Sequence, residues 1–403
     1  MPFAESSYRQ ALLTACIVTL ATIAGLWTTV QANYGGDWTG LFCIGGRYGV
    51  KMHALPKAYN FPGSTGYDGQ FYRAVAHDPF LQTQNWVAID RAELRYRRIL
   101  VPLAAWLLAG GQSALIDGAY IAIVLSCLFL GVAGLSLWLA RHGLPPAAGA
   151  LFLFLPASLI SLDRMLPDIA LITIFVWLLF LWKDRLTFPV AVLLTLAPLV
   201  RDIGVLLTTA AALTLLFHHR RFTAAFLSVL TILPAALWTV WLHFQFAAPQ
   251  GTPREMNSAG TLPHWVFLEP GYGIILRILN PLDYASLIPW VRTVTRIADI
   301  AGWLGILLAI LIVLRHARAF IHSLSGLVIL LSLVLFVAAS PRGFWADAYS
   351  YPRAYTPLLA LLAWEGWKRR QFWWALPLLA VSARILYQLT PQVSYSLRWL
   401  LGA

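Results

Sequence analysis

Apolar stretches long enough to form membrane-spanning helices recur along this chain and alternate with short polar or basic segments. The longest lie at residues 10–30, 115–140, 223–245, 320–340 and 371–389. Shorter apolar runs lie at 99–110, 147–162, 169–182, 186–200, 203–217, 299–314 and 354–367. The strand alternation typical of an outer-membrane barrel is absent from the sequence. The pattern predicts an all-α, polytopic helical membrane protein with roughly 11 transmembrane helices.

Composition favours the same class of protein. The chain is 59% hydrophobic and only 11% charged, and its mean hydropathy is +0.70. The net charge of +12 comes from Lys and Arg in short loops. Basic residues hold such loops in the cytoplasm. The charge is therefore explained by topology, and no nucleic-acid partner is inferred. Cys16 and Cys127 lie in apolar runs and Cys43 just after the first run, so no structural disulfide is expected. The first run, from about Tyr8 to Val30, is long enough to span rather than to be a cleaved signal.

The positions of the basic clusters predict the topology. Clusters at 141–142, 183–185, 218–221, 315–318 and 368–370 can all be cytoplasmic if 99–110 is only half inserted and 115–140 crosses once. The chain then forms a single transmembrane domain, residues 1–403, with structured extracytoplasmic loops at 31–98 and 246–298. This scheme places Asp68, Asp168, Arg254 and Asp347 outside the cytoplasm, and Arg220 and Lys368 inside it.

The most polar stretch, residues 66–79, predicts a short helix. Phe71 and Val75 are four residues apart, as are Tyr72 and Ala76, whereas Arg73 and His77 share another side. Pro79 ends the helix. This pattern is typical of an amphipathic helix that lies along a membrane surface. Asp68 is then either the N-cap of the helix or a carboxylate that accepts a proton from a hydroxyl, and the sequence leaves both open.

Arginines mark possible anion sites near the predicted outer face. Arg91, Arg95 and Arg98 share one face of a predicted helix, which favours anion binding over a merely solvated surface. Arg98 and Arg353 each precede a proline by four residues where a helix enters the membrane. Such helix starts bind phosphate well, although either arginine alone can also reach for lipid headgroups.

Two further charged pairs lie at predicted helix ends. Asp163-Arg164 and Asp168 sit at the turn of a helical hairpin. A structural ion pair there is the alternative to a functional role. Arg201-Asp202 interrupts an apolar hairpin, so a paired charge is expected there. The sequence contains no nucleotide-binding loop, no Cys/His metal cluster and no Gly-x-Ser-x-Gly motif.

Two motifs carry a family resemblance. The stretch Tyr67-Asp68-Gly69-Gln70-Phe71-Tyr72-Arg73-Ala74-Val75-Ala76 is similar to the Trp-Asp-x-x-His-Tyr-x-x-Ile-Ala pattern in the first outer loop of glycosylphosphatidylinositol mannosyltransferases. Arg164-Met165-Leu166-Pro167-Asp168, heading the next inward helix, resembles a segment of aminoarabinose and protein-O-mannosyl transferases. The chain thus resembles the GT-C superfamily of integral-membrane glycosyltransferases. The resemblance implies polyprenyl- or dolichyl-phosphate sugar donors, transfer outside the cytoplasm, and an acidic residue of the first loop placed at the acceptor, which Asp68 matches.

These observations favour an inverting glycosyltransferase of a bacterial inner membrane, with its active site facing the periplasm. It would move a sugar from a polyprenyl-phosphate donor to a glycan, lipid or protein acceptor. Asp68 is the expected general base, with Asp37 and His77 as the other candidates. Arg97, Arg98 and Arg353 are expected to hold the phosphate leaving group. The remaining candidate substrate-binding residues are Tyr67, Gln70, Tyr72, Arg164 and Asp168. No cofactor is predicted, and a need for a divalent cation is left open.

Two other classes of protein remain. A flippase for lipid-linked sugars, or another transporter, predicts polar residues at the bilayer midplane and two repeated halves, and neither is visible. A non-catalytic membrane assembly subunit leaves Asp68 as a helix cap only.

Overall fold

The computed structural model describes residues 5–46, 55–83, 85–247, 271–338 and 342–402. Sixteen α-helices are described there: α1 Glu5–Tyr34, α2 Gly69–His77, α3 Ala92–Arg97, α4 Leu100–Leu108, α5 Ser113–Arg141, α6 Pro156–Arg164, α7 Asp168–Leu181, α8 Phe188–Val200, α9 Val205–Phe217, α10 Arg221–Ala247, α11 Tyr272–Leu279, α12 Pro289–His316, α13 Leu324–Ala338, α14 Arg342–Ala346, α15 Ser350–Lys368 and α16 Leu376–Leu401. Two-residue strands β1, Ile44–Gly45, and β2, Asn60–Phe61, pair in parallel. The all-α prediction is confirmed.

Several helices are long and apolar enough to cross a membrane. Among the described residues these are Glu5–Tyr34, Ser113–Arg141, Arg221–Ala247, Pro289–Ala319 and Phe372–Leu401. A sixth is added if Pro146–Phe154 and α6, which bend by 56° at their junction, count as one span. Four shorter apolar helices are Asp168–Leu181, Phe188–Val200, Asp202–Phe217 and Leu324–Phe336. The chain therefore has the helices of a membrane-embedded protein.

The outward faces of the long helices are apolar. In α1, Leu12, Leu13, Ile17 and Leu20 are all more than half exposed. Such exposure is costly in water but favourable against lipid tails, so these faces suit a hydrocarbon environment.

Polar residues gather at one end of the bundle and basic clusters at the other. Asp117, in the first turns of α5, pairs with Arg73 of α2. At the opposite end of α5, the Trp138 ring lies 4.9 Å from the ammonium of Lys368. Because α5 has 29 residues, these two ends are on the order of 40 Å apart. Asp68 and Lys368 therefore lie at opposite ends of the bundle.

Helix α2 has the predicted bounds but a different environment. It ends where Asp78 leaves the α region, with φ −146° and ψ 64°, just before Pro79. Eight of its nine residues are buried, so the prediction of a helix along the membrane surface is wrong. The helix packs among α3, α4 and α5, and its polar side chains are satisfied by protein partners instead of water.

The second long loop is shorter than predicted. Residues 271–280 contain the expected amphipathic helix, α11, but α12 begins at Pro289, before the predicted loop end at 298. Proline suits this first helical turn because its missing N–H has no partner there in any case. Arg254 and residues 248–270 lie outside the described residues.

Candidate functional site

Asp68 lies immediately before α2 and forms two ion pairs. Its Oδ1 accepts a hydrogen bond from Arg95 Nη2 at 2.7 Å, and its Oδ2 accepts one from Arg353 Nη2 at 2.6 Å. Asp68 makes no side-chain cap bond, and its backbone is already α-helical. The N-cap alternative is therefore wrong, because both carboxylate oxygens bind cations and neither binds a backbone amide.

A close backbone approach fixes the start of α2. A Cβ on Gly69 would overlap the carbonyl oxygen of Arg164 and lie 2.9 Å from that of Phe42. Glycine at this position lets the start of α2 contact the C-terminal end of α6. The contact brings the two sequence motifs, around Asp68 and Arg164, together in space.

We expect Gly69→Ala to destabilise the protein by about 1–3 kcal/mol, because two backbone carbonyls must move to admit the methyl group. Thermal unfolding in detergent micelles measures the change. Gly63→Ala is the matched control, since a Cβ on Gly63 meets nothing within 4 Å. Equal losses of stability in the two variants would contradict the close approach.

Arg95 connects two carboxylates and was not among the predicted substrate-binding residues. Its Nε and Nη2 donate to the Asp90 carboxylate at 2.9 and 2.8 Å, and Nη2 also reaches Asp68. The sequence signal was present, since Arg95 belongs to the predicted arginine face. Arg91 of the same predicted face is exposed and does not reach Asp68.

Arg98 and Arg97 pair with a carboxylate from a distant part of the chain. Arg98 donates to Asp202 Oδ2 from Nε and Nη2, each at 3.0 Å. Its Nη1 donates to the Tyr72 hydroxyl, also at 3.0 Å. Arg97 Nη1 lies 3.8 Å from Asp202 Oδ1. All three terminal nitrogens of Arg98 are thus occupied by protein partners.

Arg353 differs from Arg98 in keeping nitrogens without partners. Its Nη2 binds Asp68, but its Nε and Nη1 are buried and make no hydrogen bond to the described residues. Nη1 lies 3.8 Å from Asp168 Oδ2, beyond hydrogen-bond distance. Asp168 is itself paired with Arg201. Asp202 pairs with Arg98. The predicted pairing of the charges at Arg201-Asp202 is therefore present, but each residue pairs with a different segment of the chain.

The cluster that these contacts join carries one more cation than anions. Among the described residues it contains the guanidinium groups of Arg95, Arg97, Arg98, Arg201 and Arg353 and the carboxylates of Asp68, Asp90, Asp168 and Asp202. Five positive charges against four negative ones in a largely buried place favour the binding of one further anion.

The pKa of Asp68 reflects its two partners. Burial alone raises the pKa of this carboxyl, but the guanidinium groups of Arg353 and Arg95 outweigh burial and hold the pKa well below its usual range. Asp68 is therefore ionised at neutral pH. Its ion pairs stabilise the fold at every pH above the usual aspartate range, and this stabilisation is lost only as the pH falls towards the lowered pKa.

A polar pocket of about 160 Å³ opens beside Asp68. It is lined by Thr65, Gly66, Tyr67, Asp68, Gln70, Phe71 and Asp90. Two carboxylates facing a pocket of this size suit a ligand rich in hydroxyl groups, because ionised carboxylates only accept hydrogen bonds.

Three predicted substrate-binding residues have partners within the protein. Gln70 accepts from Gly45 N and donates to Thr65 O, so it shapes the pocket wall. Tyr67 donates its hydroxyl to Asp347 at 2.7 Å, and Arg353 lies over its ring. Arg164 pairs with Asp163 at 3.0 Å, as the ion-pair alternative predicted. These contacts connect α2, α6 and the segment before α15 around the pocket.

The alternative bases lie elsewhere. Asp37 caps a 3₁₀ helix by accepting from the amide and hydroxyl of Thr39. His77 contacts Ser113 at 3.0 Å and Asp117 at 3.1 Å, and Asp117 also binds Arg73 through both oxygens. This second network holds α2 against α5 and faces away from Asp68.

No group of three or more His, Cys, Asp and Glu side chains that could hold a metal ion is found in the described part of the chain. All three cysteines are free thiols, as the sequence indicated.

The fold and the site define a helical, membrane-embedded protein with a buried, arginine-rich charge cluster beside a polar pocket at one end of its bundle. No protein-family model, no curated protein and no solved structure matches this chain. The resemblance to GT-C glycosyltransferases therefore rests on the sequence motifs alone.

Proposed function

We propose that this protein is an inverting membrane glycosyltransferase that moves a sugar from a polyprenyl-phosphate donor to a hydroxyl of an acceptor glycan, lipid or protein. The observation that carries the proposal is the position of Asp68. It lies between a pocket suited to a polyol and the guanidinium group of Arg353, two of whose nitrogens are buried and make no hydrogen bond to the described residues. Inverting transfer needs a proton acceptor on one side of the reacting carbon and positive charge for the leaving phosphate on the other.

The reaction needs a base of the protein beside the acceptor hydroxyl and a positively charged group beside the donor phosphate. The acceptor hydroxyl attacks the anomeric carbon, the bond from this carbon to the phosphate oxygen breaks, and the phosphate leaves with the electron pair. Arg353 stabilises the charge that develops on this phosphate, and Arg97 and Arg98 add to the positive potential. Asp68 takes the hydroxyl proton.

The lowered pKa of Asp68 is compatible with this role. A hydroxyl becomes strongly acidic once its oxygen has begun to bond to an electron-poor carbon. An ionised carboxylate with low basicity can then accept the proton late in the reaction. The charge on Asp68 also stabilises the positive character of the anomeric carbon.

The proposal includes a topology. We place the Asp68 end of the bundle in the periplasm of a bacterial inner membrane, with 11 crossings. This number is reached if the bent pair, the four shorter apolar helices and α15 cross together with the five long helices. It puts every basic cluster at the cytoplasmic end.

Cysteine labelling tests this orientation. In a variant without Cys16, Cys43 and Cys127, a single cysteine replaces Ser64, beside the pocket, or Arg220, which is exposed at the other end. A membrane-impermeant maleimide is expected to label Ser64→Cys in intact spheroplasts, and Arg220→Cys only after the membrane is opened. Labelling of Arg220→Cys alone in intact spheroplasts would reverse the topology.

Mass spectrometry of envelope glycans, lipids and proteins tests the reaction. Cells that produce the protein are expected to contain a product larger by one sugar unit than the corresponding product in cells that lack it. Identical envelopes would contradict the proposal.

A further inference from the structure

The hydroxyl of Tyr72 lies between two arginines. Tyr72 follows Asp68 by one helical turn and is fully buried. Its oxygen accepts hydrogen bonds from Arg98 Nη1 at 3.0 Å and from Arg95 Nη1 at 3.5 Å. Within the described ranges, the hydroxyl donates to no acceptor. The hydroxyl of Tyr72, a predicted substrate-binding residue, is therefore enclosed by protein groups.

This arrangement suits a phenolate better than a phenol. A neutral phenol has one proton to donate, and here it faces two groups that are themselves donors only. A phenolate has no proton to place and accepts both charge-assisted hydrogen bonds. The geometry alone thus favours the ionised form.

The surrounding charges act in the same direction. Four cations surround the hydroxyl: Arg95, Arg98, Arg201 and Arg353. Asp68 faces it as an anion and Tyr120 of α5 as a neutral neighbour. Burial raises the pKa of Tyr72, but the charges of Arg98 and Arg95 outweigh burial and place the pKa below its ordinary value. The opposing charge of Asp68 is itself compensated by Arg95 and Arg353.

The charge count gives the phenolate a role. The cluster has five guanidinium groups and four carboxylates, and one phenolate makes the two totals equal. We infer that Tyr72 is the charge-compensating group of the site: it is a phenolate that balances the fifth guanidinium, and it takes up one proton from solvent when an anionic phosphodiester binds beside Arg353. The second half of this inference rests on the proposed function, whereas the first half does not.

A pH titration of the purified full-length protein tests the phenolate. The difference absorbance of ionised tyrosine, or the NMR signal of ring-labelled tyrosine, is followed as the pH rises. One of the fifteen tyrosines is expected to lose its proton at a lower pH than the other tyrosines. Tyr72→Phe removes this early titration and keeps the buried ring. Tyr120→Phe, another fully buried tyrosine, is the matched control and retains it.

Folding is checked by circular dichroism and size-exclusion chromatography, and the wild-type titration stands even if Tyr72→Phe does not fold. Absence of an early titration in the wild type, or its persistence in folded Tyr72→Phe, overturns the inference. Neither result depends on whether the protein transfers a sugar.

Proton uptake tests the coupling to the donor. A short prenyl methyl phosphodiester, whose single charge does not titrate near neutral pH, is added, and binding heats are compared in two buffers of different ionisation enthalpy. The wild type is expected to take up close to one proton at a pH where Tyr72 is ionised, and Tyr72→Phe to take up none. Diester binding without uptake overturns the coupling, and uptake that Tyr72→Phe retains assigns the proton to another group.

Discussion

Asp68→Asn is expected to insert and fold but to transfer sugar about 100-fold or more slowly than the wild type, because the proton acceptor is lost. The amide keeps the size of the side chain and one oxygen towards Arg95 or Arg353. Initial rates of the purified protein at saturating donor measure the effect on kcat.

Stability must be measured alongside this rate. Both Arg95 and Arg353 are more than nine-tenths buried, and removal of the partner of a buried charge typically costs about 3–5 kcal/mol. A folded fraction from size-exclusion chromatography therefore normalises each rate. Asp37→Asn is the matched control, since asparagine also caps well and Asp37 lies outside the cluster. Equal activity of folded Asp68→Asn and wild type would remove Asp68 as the base.

Arg353→Lys is expected to lower kcat/KM for the donor by about 10- to 100-fold, as estimated for the loss of one charge-assisted contact. Lysine keeps the positive charge, but it lacks the planar fork that binds Asp68 through Nη2 and that, in the proposed function, binds a phosphate through Nε and Nη1. Arg98→Lys is expected to have the smaller effect on kcat/KM for the donor, because all three guanidinium nitrogens of Arg98 already bind Tyr72 and Asp202.

The control for Arg353→Lys lies just beyond the other end of the same helix. Arg369 directly follows α15, contacts Glu365 at 3.8 Å and is remote from the pocket. Arg369→Lys should leave kcat/KM unchanged. If Arg353→Lys and Arg98→Lys, singly and together, also leave kcat/KM for the donor unchanged, the two arginines do not hold the phosphate.

Local sequence pattern was sufficient for the helices that carry the site. The period of residues 69–77 and the proline at 79 gave the bounds of α2, and the shortness of 99–110 predicted the short helix α4. Burial of α2 was not predictable from these patterns. It depends on the close approach of Gly69 to Arg164, two residues that lie far apart in the chain.

The pairing of the charges was also beyond the sequence. The pattern marked Arg98, Arg353, Asp168 and Asp202 as individual candidates, but Asp68 and Arg353 are separated by 285 residues. Local spacing gives no information on such contacts. Arg95 was visible as part of an arginine face, yet only the fold shows that it joins Asp68 to Asp90.

The same limit applies to the internal contacts of two predicted substrate-binding residues. Gln70 and Tyr67 belong to the motif around Asp68 that resembles the GT-C pattern, and this resemblance suggested substrate contacts. In the fold, their polar atoms bind Thr65, Gly45 and Asp347, and both residues line the pocket beside Asp68. Their internal partners were not visible in the sequence.

Release of polyprenyl phosphate from a polyprenyl-phosphate sugar by the purified protein distinguishes sugar transfer from the other possible functions. A glycosyltransferase cleaves its donor, whereas a flippase or an assembly subunit leaves the donor intact. The account predicts that the wild type forms polyprenyl phosphate and glycosylated acceptor in equal amounts, and that Asp68→Asn forms about 100-fold less of both. An intact donor after incubation of the folded wild type with the acceptor identified from the envelope would contradict it.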